Sequence, residues 1–157
     1  MRKFDKEMDY SATKEKALRL LEFRNHSKGE LKKKLTIAGA KSEDIESGIE
    51  FLEEYSLIND RDYAKRLALD LQNLKKYGIR RIRLELASKG ILPEYIEEAI
   101  EELPEPDNDE FLVLVEKRLK GDFERKNKDK VIRYFLNKGY SFDQIKGAIS
   151  DIEINYL

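Results

Sequence analysis

The segment "GIRRIRLELASKG", residues 78–90, decides the fold, because glycines bound a run of apolar residues at helical spacing. One face of the predicted helix carries three apolar side chains, which are Ile79, Ile82 and Leu86. Arg80 and Arg83 border this buried face, and Arg81 is predicted to point to solvent. Leu84 lies away from the face, so it is predicted either to pack on a neighbouring repeat or to contact a partner.

The glycine that ends this segment recurs along the chain, since Gly39, Gly90 and Gly139 are 51 and 49 residues apart. Each is followed six and ten places later by isoleucine, with a small residue before the second: Ile45, Gly48 and Ile49; Ile96, Ala99 and Ile100; Ile145, Ala148 and Ile149. Apolar residues also stand eight and four places before each glycine: Leu31 and Leu35, Ile82 and Leu86, Val131 and Phe135. Matching positions at a fixed period predict structural repeats, in which the glycine ends a helix at positive φ and the small residue allows close packing.

A further amphipathic segment precedes each of these helix pairs: Ala17, Leu20, Leu21 and Phe23; Leu67, Leu71 and Leu74; Leu112, Val115 and Leu119. The chain is therefore predicted to be all-α, a tandem array of three three-helix repeats, elongated and curved. The predicted divisions are residues 1–59 for an N-terminal segment with repeat 1, 60–106 for repeat 2 and 107–157 for repeat 3. Start signals place helix beginnings near residues 28, 60, 93 and 142. The segment "PEPDND", residues 104–109, is predicted to be a flexible joint.

Composition excludes several classes of protein. The 157 residues contain 31 Lys and Arg and 32 Asp and Glu, and no Cys, which excludes disulfides, thiolate nucleophiles and Cys-based zinc sites. No apolar run approaches the roughly 18 residues of a membrane span, and the N-terminus lacks the apolar core of a signal peptide. We expect a soluble cytoplasmic protein.

Charge is segregated along the chain although the formal net charge is only -1. Residues 75–89 contain six basic residues and one acid, whereas residues 91–116 contain ten acids and no base. The basic residues of the first stretch are Lys75, Lys76, Arg80, Arg81, Arg83 and Lys89. The first repeat has the same order, with basic Lys28, Lys32, Lys33 and Lys34 before an acidic helix three. Stacked repeats would gather these residues into a basic stripe and an acidic stripe.

A basic stripe has two possible kinds of ligand, the phosphate backbone of DNA and acidic patches of a protein. Arginine grips both in a bidentate way, so charge alone does not choose between them. The alternative is that the charged runs are only solvated helix faces. The acidic helices would repel free DNA, and few aromatic residues beyond Tyr77 and Tyr134 accompany the stripe. We therefore expect weak, salt-sensitive binding to free DNA.

Two segments resemble a known family. These are "LINDRDYAKRL", residues 57–67, and "KYGIRRIRLELASKGI", residues 76–91, and together they look like the signature of the RecX regulatory proteins, bacterial modulators of the RecA recombinase. The resemblance covers essentially the whole chain. The positions that match the family pattern are Asp60, Tyr63, Ala64, Gly78, Arg81, Ile82, Leu86, Lys89 and Gly90. The chain departs from the pattern at Ser56, where family members often have glycine, and in a very short N-terminal extension.

The resemblance implies a regulator that binds in the helical groove of the RecA filament on single-stranded DNA. It would inhibit or modulate RecA recombinase and ATPase activity in DNA repair and the SOS response. We expect no cofactor and a monomer that contacts single-stranded DNA mainly within the filament. The predicted contact residues are Lys75, Lys76, Arg80, Arg81 and Arg83, with Lys32, Lys33 and Lys34 as a second contact. Asp60, Tyr63, Gly39, Gly90 and Gly139 are predicted to be structural.

Two other functions stay open. An enzyme is disfavoured because the sequence has no P-loop, no Cys nucleophile, no metal-ligand cluster and one histidine, His26, which is predicted to be a polar loop residue. A helical-repeat scaffold for an unrelated acidic partner, or a weak non-specific DNA-binding protein, would share the fold and differ only in the partner.

Overall fold

The computed structural model describes residues 8–157, which form nine helices and no strand. In chain order these are α1 (Tyr10–Phe23), α2 (Lys28–Ile37), α3 (Ser42–Glu54), α4 (Asp60–Asn73), α5 (Ile79–Ser88), α6 (Pro93–Glu101), α7 (Asn108–Leu119), α8 (Arg125–Asn137) and α9 (Phe142–Tyr156). The predicted all-α class is confirmed. None of the described helices has the length and apolar character needed to cross a lipid bilayer.

The helix boundaries follow the capping signals of the sequence. Capping boxes open α2 and α9, where Ser27 pairs with Glu30 and Ser141 pairs with Gln144. Helices α4 and α6 begin at Asp60 and Pro93, so the four predicted helix starts are confirmed. Such caps satisfy backbone N–H groups that have no partner within the helix.

The three repeated glycines adopt the left-handed conformation that was predicted for them. Their φ angles are 98° at Gly39, 73° at Gly90 and 101° at Gly139, and each ends the second helix of its group. Glycine has no Cβ and adopts positive φ without the steric cost that other residues meet. The chain therefore turns from helix two to helix three at the same place in each repeat.

The chain forms two compact units, and helices α4, α5 and α6 contribute to both. Unit 1 contains the described residues up to Leu67 together with Leu86–Ala99, and unit 2 contains Ala68–Glu85 and Ile100–Leu157. The unit 1 core is built from Ala17, Leu31, Leu35, Ile45, Ile49, Leu52 and Ile58. The unit 2 core is built from Phe111, Val115, Leu119, Val131, Phe135, Ile145, Ala148, Ile149 and Ile152. The repeated apolar positions of repeats 1 and 3 thus form part of these two cores.

Three predicted apolar contacts are wrong. Phe23 and Leu74 are 90% and 76% exposed, because they lie at or just beyond the last residues of α1 and α4, where the apolar face has left the core. Ile79 is 40% exposed, whereas Ile82 is fully buried. Leu84 is 67% exposed, so the predicted alternative that it packs on a neighbouring repeat is wrong, and its contact with a partner stays a prediction.

Candidate functional site

In unit 2, the start of α5 is fixed by a contact between two glycines. The Gly78 N–H donates a hydrogen bond to the Lys138 carbonyl at 2.8 Å, and the Arg80 N–H donates to the Gly139 carbonyl at 3.2 Å. A Cβ on Gly78 would lie 2.5 Å from the carbonyl carbon and oxygen of Gly139, a distance that backbone atoms do not tolerate. Only glycine fits here, so the contact sets the position of the arginine-bearing helix.

Arg81 does not point freely to solvent, which corrects the prediction. Its Nε donates to Glu85 Oε1 at 2.9 Å and one of its terminal nitrogens donates to the Asn137 carbonyl at 3.0 Å. The guanidinium carbon lies 4.7 Å from the centre of the Tyr77 ring, a cation–π contact. The reason is the position of Gly78, because Arg81 follows it by three residues and shares the helix face that meets the turn.

Arg80 and Arg83 are exposed and line a cleft of about 390 Å³ in unit 2. Three carboxylates line the same cleft, those of Glu105, Asp107 and Glu110. The non-helical segment before α7 forms part of its wall, and Gln72 donates a hydrogen bond to the Pro104 carbonyl at 3.3 Å. The cleft therefore offers both signs of charge, which suits a protein surface better than bare phosphates.

Lys76 is held by two contacts in unit 2. Its ammonium forms an ion pair with Glu110, and its carbonyl accepts a hydrogen bond from the Tyr140 hydroxyl at 2.7 Å. Burial, and then the nearby Glu110 carboxylate, raise the pKa of Tyr140. Lys75, the preceding residue, is exposed. Of the predicted contact residues in unit 2, Lys75, Arg80 and Arg83 are therefore the exposed ones.

A second concavity in unit 2, the lysine pocket, has a volume of about 390 Å³. Its lining consists of six cationic and three apolar or aromatic residues: Lys75, Lys76, Lys117, Arg118, Lys120 and Lys138, with Leu114, Tyr134 and Phe135. The Arg118 guanidinium carbon lies 3.5 Å from the centre of the Tyr134 ring. The neighbouring Arg118 guanidinium is the main cause that lowers the pKa of Tyr134. Of these nine residues, sequence reasoning predicted only Lys75 and Lys76 as contacts.

The sequence carries a signal for the rest of this pocket. The segment "EKRLKGD", residues 116–122, brings three cations directly after the long acidic run, at the end of α7. The sequence does not show that Lys75 and Lys138, which come from distant segments, lie beside these three cations.

In unit 1, the predicted second contact divides in two. Lys32 and Lys33 are exposed, whereas the Lys34 ammonium lies 2.8 Å from His26 Nε2. The other ring nitrogen of His26 lies 2.8 Å from the Arg24 carbonyl, which can only accept, so Nδ1 carries the proton and Nε2 accepts from Lys34. Burial lowers the pKa of His26. His26 lies in the predicted loop between α1 and α2, but it is buried there and ties the loop to α2.

The structural motif residues of unit 1 converge on the start of α2. Asp60 accepts a hydrogen bond from the Lys28 N–H at 2.9 Å, and the Tyr63 hydroxyl donates to Glu30 at 2.9 Å. Arg24 also contacts Glu30, at 2.6 Å. Burial raises the pKa of Glu30, but these hydrogen bonds outweigh it and lower that pKa to about 2. Burial and the bond to Glu30 raise the pKa of Tyr63 to about 12.

Unit 1 also contains the same glycine contact as unit 2. Ser27 Oγ donates to the Lys89 carbonyl at 2.5 Å, and a Cβ on Gly29 would lie 2.7 Å from that carbonyl oxygen and 3.0 Å from Gly90 Cα. The family-pattern positions Asp60, Tyr63, Lys89 and Gly90 thus surround one helix start. Within residues 8–157, no group of three or more His, Cys, Asp or Glu side chains is arranged to hold a metal ion.

Two family models match the chain. The model described as "RecX, first three-helix domain" matches residues 14–52, and the model described as "RecX, second three-helix domain" matches residues 59–100. These ranges contain most of α1 to α3 and of α4 to α6.

Individual relatives extend the match over most of the chain. Regulatory protein RecX of Vibrio parahaemolyticus is 37% identical over 141 residues, which are 88% of this chain and 90% of the relative. Regulatory protein RecX of Clostridioides difficile is 33% identical over 152 residues, 94% of this chain and 71% of the relative. A crystal structure of RecX from Lactobacillus salivarius is similar with a TM-score of 0.77 and 27% identity, covering 92% of this chain and 97% of that one.

Proposed function

The chain belongs to the RecX family of regulatory proteins, and we propose that it binds the RecA filament on single-stranded DNA and restrains it. It acts in the helical groove of the filament and inhibits or modulates RecA recombinase and ATPase activity in DNA repair and the SOS response. Family membership is the observation that carries this proposal. It is supported by the exposed basic side chains of α5 and of the segment just before it, which lie within the second matched domain.

Mixed charge in the unit 2 cleft supports a protein surface as part of the ligand. Arg80 and Arg83 stand beside Glu105, Asp107 and Glu110, and carboxylates in this position repel free phosphates. A nucleoprotein filament offers both protein and DNA, so its surface can match both signs of charge. We therefore expect tighter binding to the filament than to bare single strands.

The protein regulates by binding, without catalysis. The relatives are named regulatory proteins, and the binding proposed here needs only the exposed cations of a folded chain. The protein acts as a monomer in the cytoplasm, the compartment in which we expect its partner. A second contact through Lys32 and Lys33 of unit 1 is part of the same proposal, since both side chains are exposed.

The test is a comparison of two affinities at the same salt concentration, for RecA filaments on single-stranded DNA and for the bare strand. The double variant Arg80→Glu/Arg83→Glu should weaken filament binding. The matched control Lys126→Glu/Lys146→Glu changes the charge equally at exposed lysines outside the cleft and the lysine pocket, and should bind normally. Equal affinity for the filament and the bare strand would overturn the proposal, and an acidic protein partner unrelated to RecA would then be sought.

A further inference from the structure

The lysine pocket differs in charge from the neighbouring cleft. Six of its nine lining residues are cationic and none is a carboxylate, whereas three carboxylates line the cleft beside Arg80. Lys75, Lys117 and Lys120 are exposed and form no ion pair with a described carboxylate. Cations that converge without counter-charges repel one another, so the pocket is suited to a polyanionic ligand.

Two lysines that line the pocket, Lys76 and Lys120, have a left-handed backbone conformation that glycine adopts at a lower energetic cost. Lys76 has a φ of 57° and Lys120 a φ of 53°, and Ser56 is the one other non-glycine residue with positive φ among residues 8–157. Gly121 directly follows Lys120, so the turn after α7 has a lysine at its first left-handed position. Backbone strain of this kind is concentrated at functional sites. Both lysines line the lysine pocket, where Lys120 contributes a cation unpaired within the described chain and Lys76 is paired with Glu110 of the neighbouring cleft.

The pocket also has an aromatic wall. Arg118 is exposed and stacks on Tyr134 at 3.5 Å, and Lys138 lies 5.5 Å from the same ring. Leu114 and Phe135 add apolar surface. An arginine plane backed by a tyrosine ring is a surface on which nucleic acid bases stack, and proteins that bind single strands combine such surfaces with basic grooves.

We propose that the lysine pocket binds one strand of nucleic acid. Lys75, Lys117 and Lys120 contact its phosphates, and Arg118, stacked on Tyr134, carries a base. A volume of about 390 Å³ suits a flat base with its adjoining phosphates. A folded acidic protein presents a broad surface and would make no use of the stacked pair, so a strand is the better match. The inference rests on the proposed function for its setting in the filament, but its test needs no RecA.

The test measures binding of a short labelled oligothymidine to the full chain by fluorescence anisotropy, between about 50 and 200 mM salt. Lys117→Gln/Lys120→Gln is compared with the control Lys126→Gln/Lys146→Gln, which removes the same charge outside the pocket. Two lost phosphate contacts should make the slope of log K against log salt shallower by about 1.4, since each contact on a single strand contributes about 0.7. The affinity at the lowest salt should fall about tenfold for the pocket variant and remain unchanged for the control.

Three results would overturn the inference. They are equal losses in the two variants, no binding of the oligothymidine by the unchanged protein at about 50 mM salt, and displacement of the strand by polyglutamate as effectively as by unlabelled strand at equal charge. The last would indicate an acidic protein ligand. Failure here is distinguishable from failure of the proposed function, because filament binding is measured separately and with changes at Arg80 and Arg83.

Discussion

Gly78 and Gly139 pack backbone to backbone, with space for no side chain between them. Gly29 and Gly90 make the same kind of contact 49 residues earlier in the chain, within unit 1. In the third repeat the position 49 residues after Gly78 is Asn127, whose side chain donates hydrogen bonds to the Leu119 and Asp122 carbonyls. The glycine contact therefore occurs twice, and in the third repeat an asparagine closes the end of α7 instead.

Gly78→Ala should destabilise the protein. The added methyl would overlap the Gly139 backbone, and overpacking of this kind costs about 1 to 3 kcal/mol. Urea unfolding followed by circular dichroism measures the loss. Gly48→Ala is the control, because no atom lies within 4 Å of a Cβ there and alanine stabilises a helix interior by about 0.5 to 1 kcal/mol. Equal stability of the Gly78→Ala variant and the unchanged protein would contradict this packing.

Ser56→Gly should stabilise the protein by about 0.5 kcal/mol. Ser56 has a φ of 56°, a conformation that strains a residue with a Cβ, and the gain exceeds the extra entropy that glycine gives the unfolded chain. The urea midpoint should rise. Ser150→Gly, an exposed position within α9, should lower the midpoint instead, because glycine weakens a helix interior. A lower midpoint for Ser56→Gly would show that the left-handed turn is not strained.

Glu30→Gln should reduce stability at neutral pH and flatten the response to acid. The pKa of Glu30 is about 2 in the folded protein against an ordinary value of 4.5, so its contribution is present above pH 4.5 and is lost as the pH falls toward 2. At neutral pH the free energy of unfolding of the unchanged protein should exceed that of the variant by about 2 to 3 kcal/mol. Glutamine keeps the capping box, as Gln144 does in α9, so the comparison removes the charge and its hydrogen bond from Arg24 but not the helix cap.

The measurement is urea unfolding of both proteins at neutral pH and near pH 2. Glu46→Gln, at an exposed position on α3, serves as the control and should leave the midpoint unchanged at both pH values. A stability difference between Glu30→Gln and the unchanged protein that stays constant with pH would contradict the assigned role of the Glu30 charge.

Arg81→Ala should lower the thermal midpoint more than Arg80→Ala does. Arg81 contacts Glu85, the Asn137 carbonyl and the Tyr77 ring, whereas Arg80 is exposed in the cleft. Differential scanning calorimetry of the two single variants makes the comparison. Equal midpoints would mean that the contacts of Arg81 add nothing to stability, and Arg81 would then join Arg80 and Arg83 as a candidate contact.

The repeat, the helix starts and the glycine turns could be predicted because they depend on local spacing and capping. The orientation of α5 could not, because Gly78 carries no apolar side chain to mark the face that packs. The prediction placed Ile79 on the buried face together with Ile82, and it therefore placed Arg81 on the solvent-facing side of the helix. The burial of His26 within its loop could not be predicted either, since its contact with Lys34 is visible only in the folded chain.

The candidate contacts could be predicted only in part. Lys75, Arg80 and Arg83 were recognised from a single basic segment and are exposed. The lysine pocket combines residues from three distant segments. Counting charges along the chain cannot show that these segments lie side by side in the fold. Its positive φ angles at Lys76 and Lys120 have no signature in the sequence, because glycine is the residue expected there.

The most direct measurement is the rate of ATP hydrolysis by RecA filaments on single-stranded DNA as this protein is added. The rate should fall with the unchanged protein and with Lys126→Glu/Lys146→Glu, and the fall should be largely lost with Arg80→Glu/Arg83→Glu. A rate that stays constant at an excess of the unchanged protein over RecA would contradict the proposed regulation.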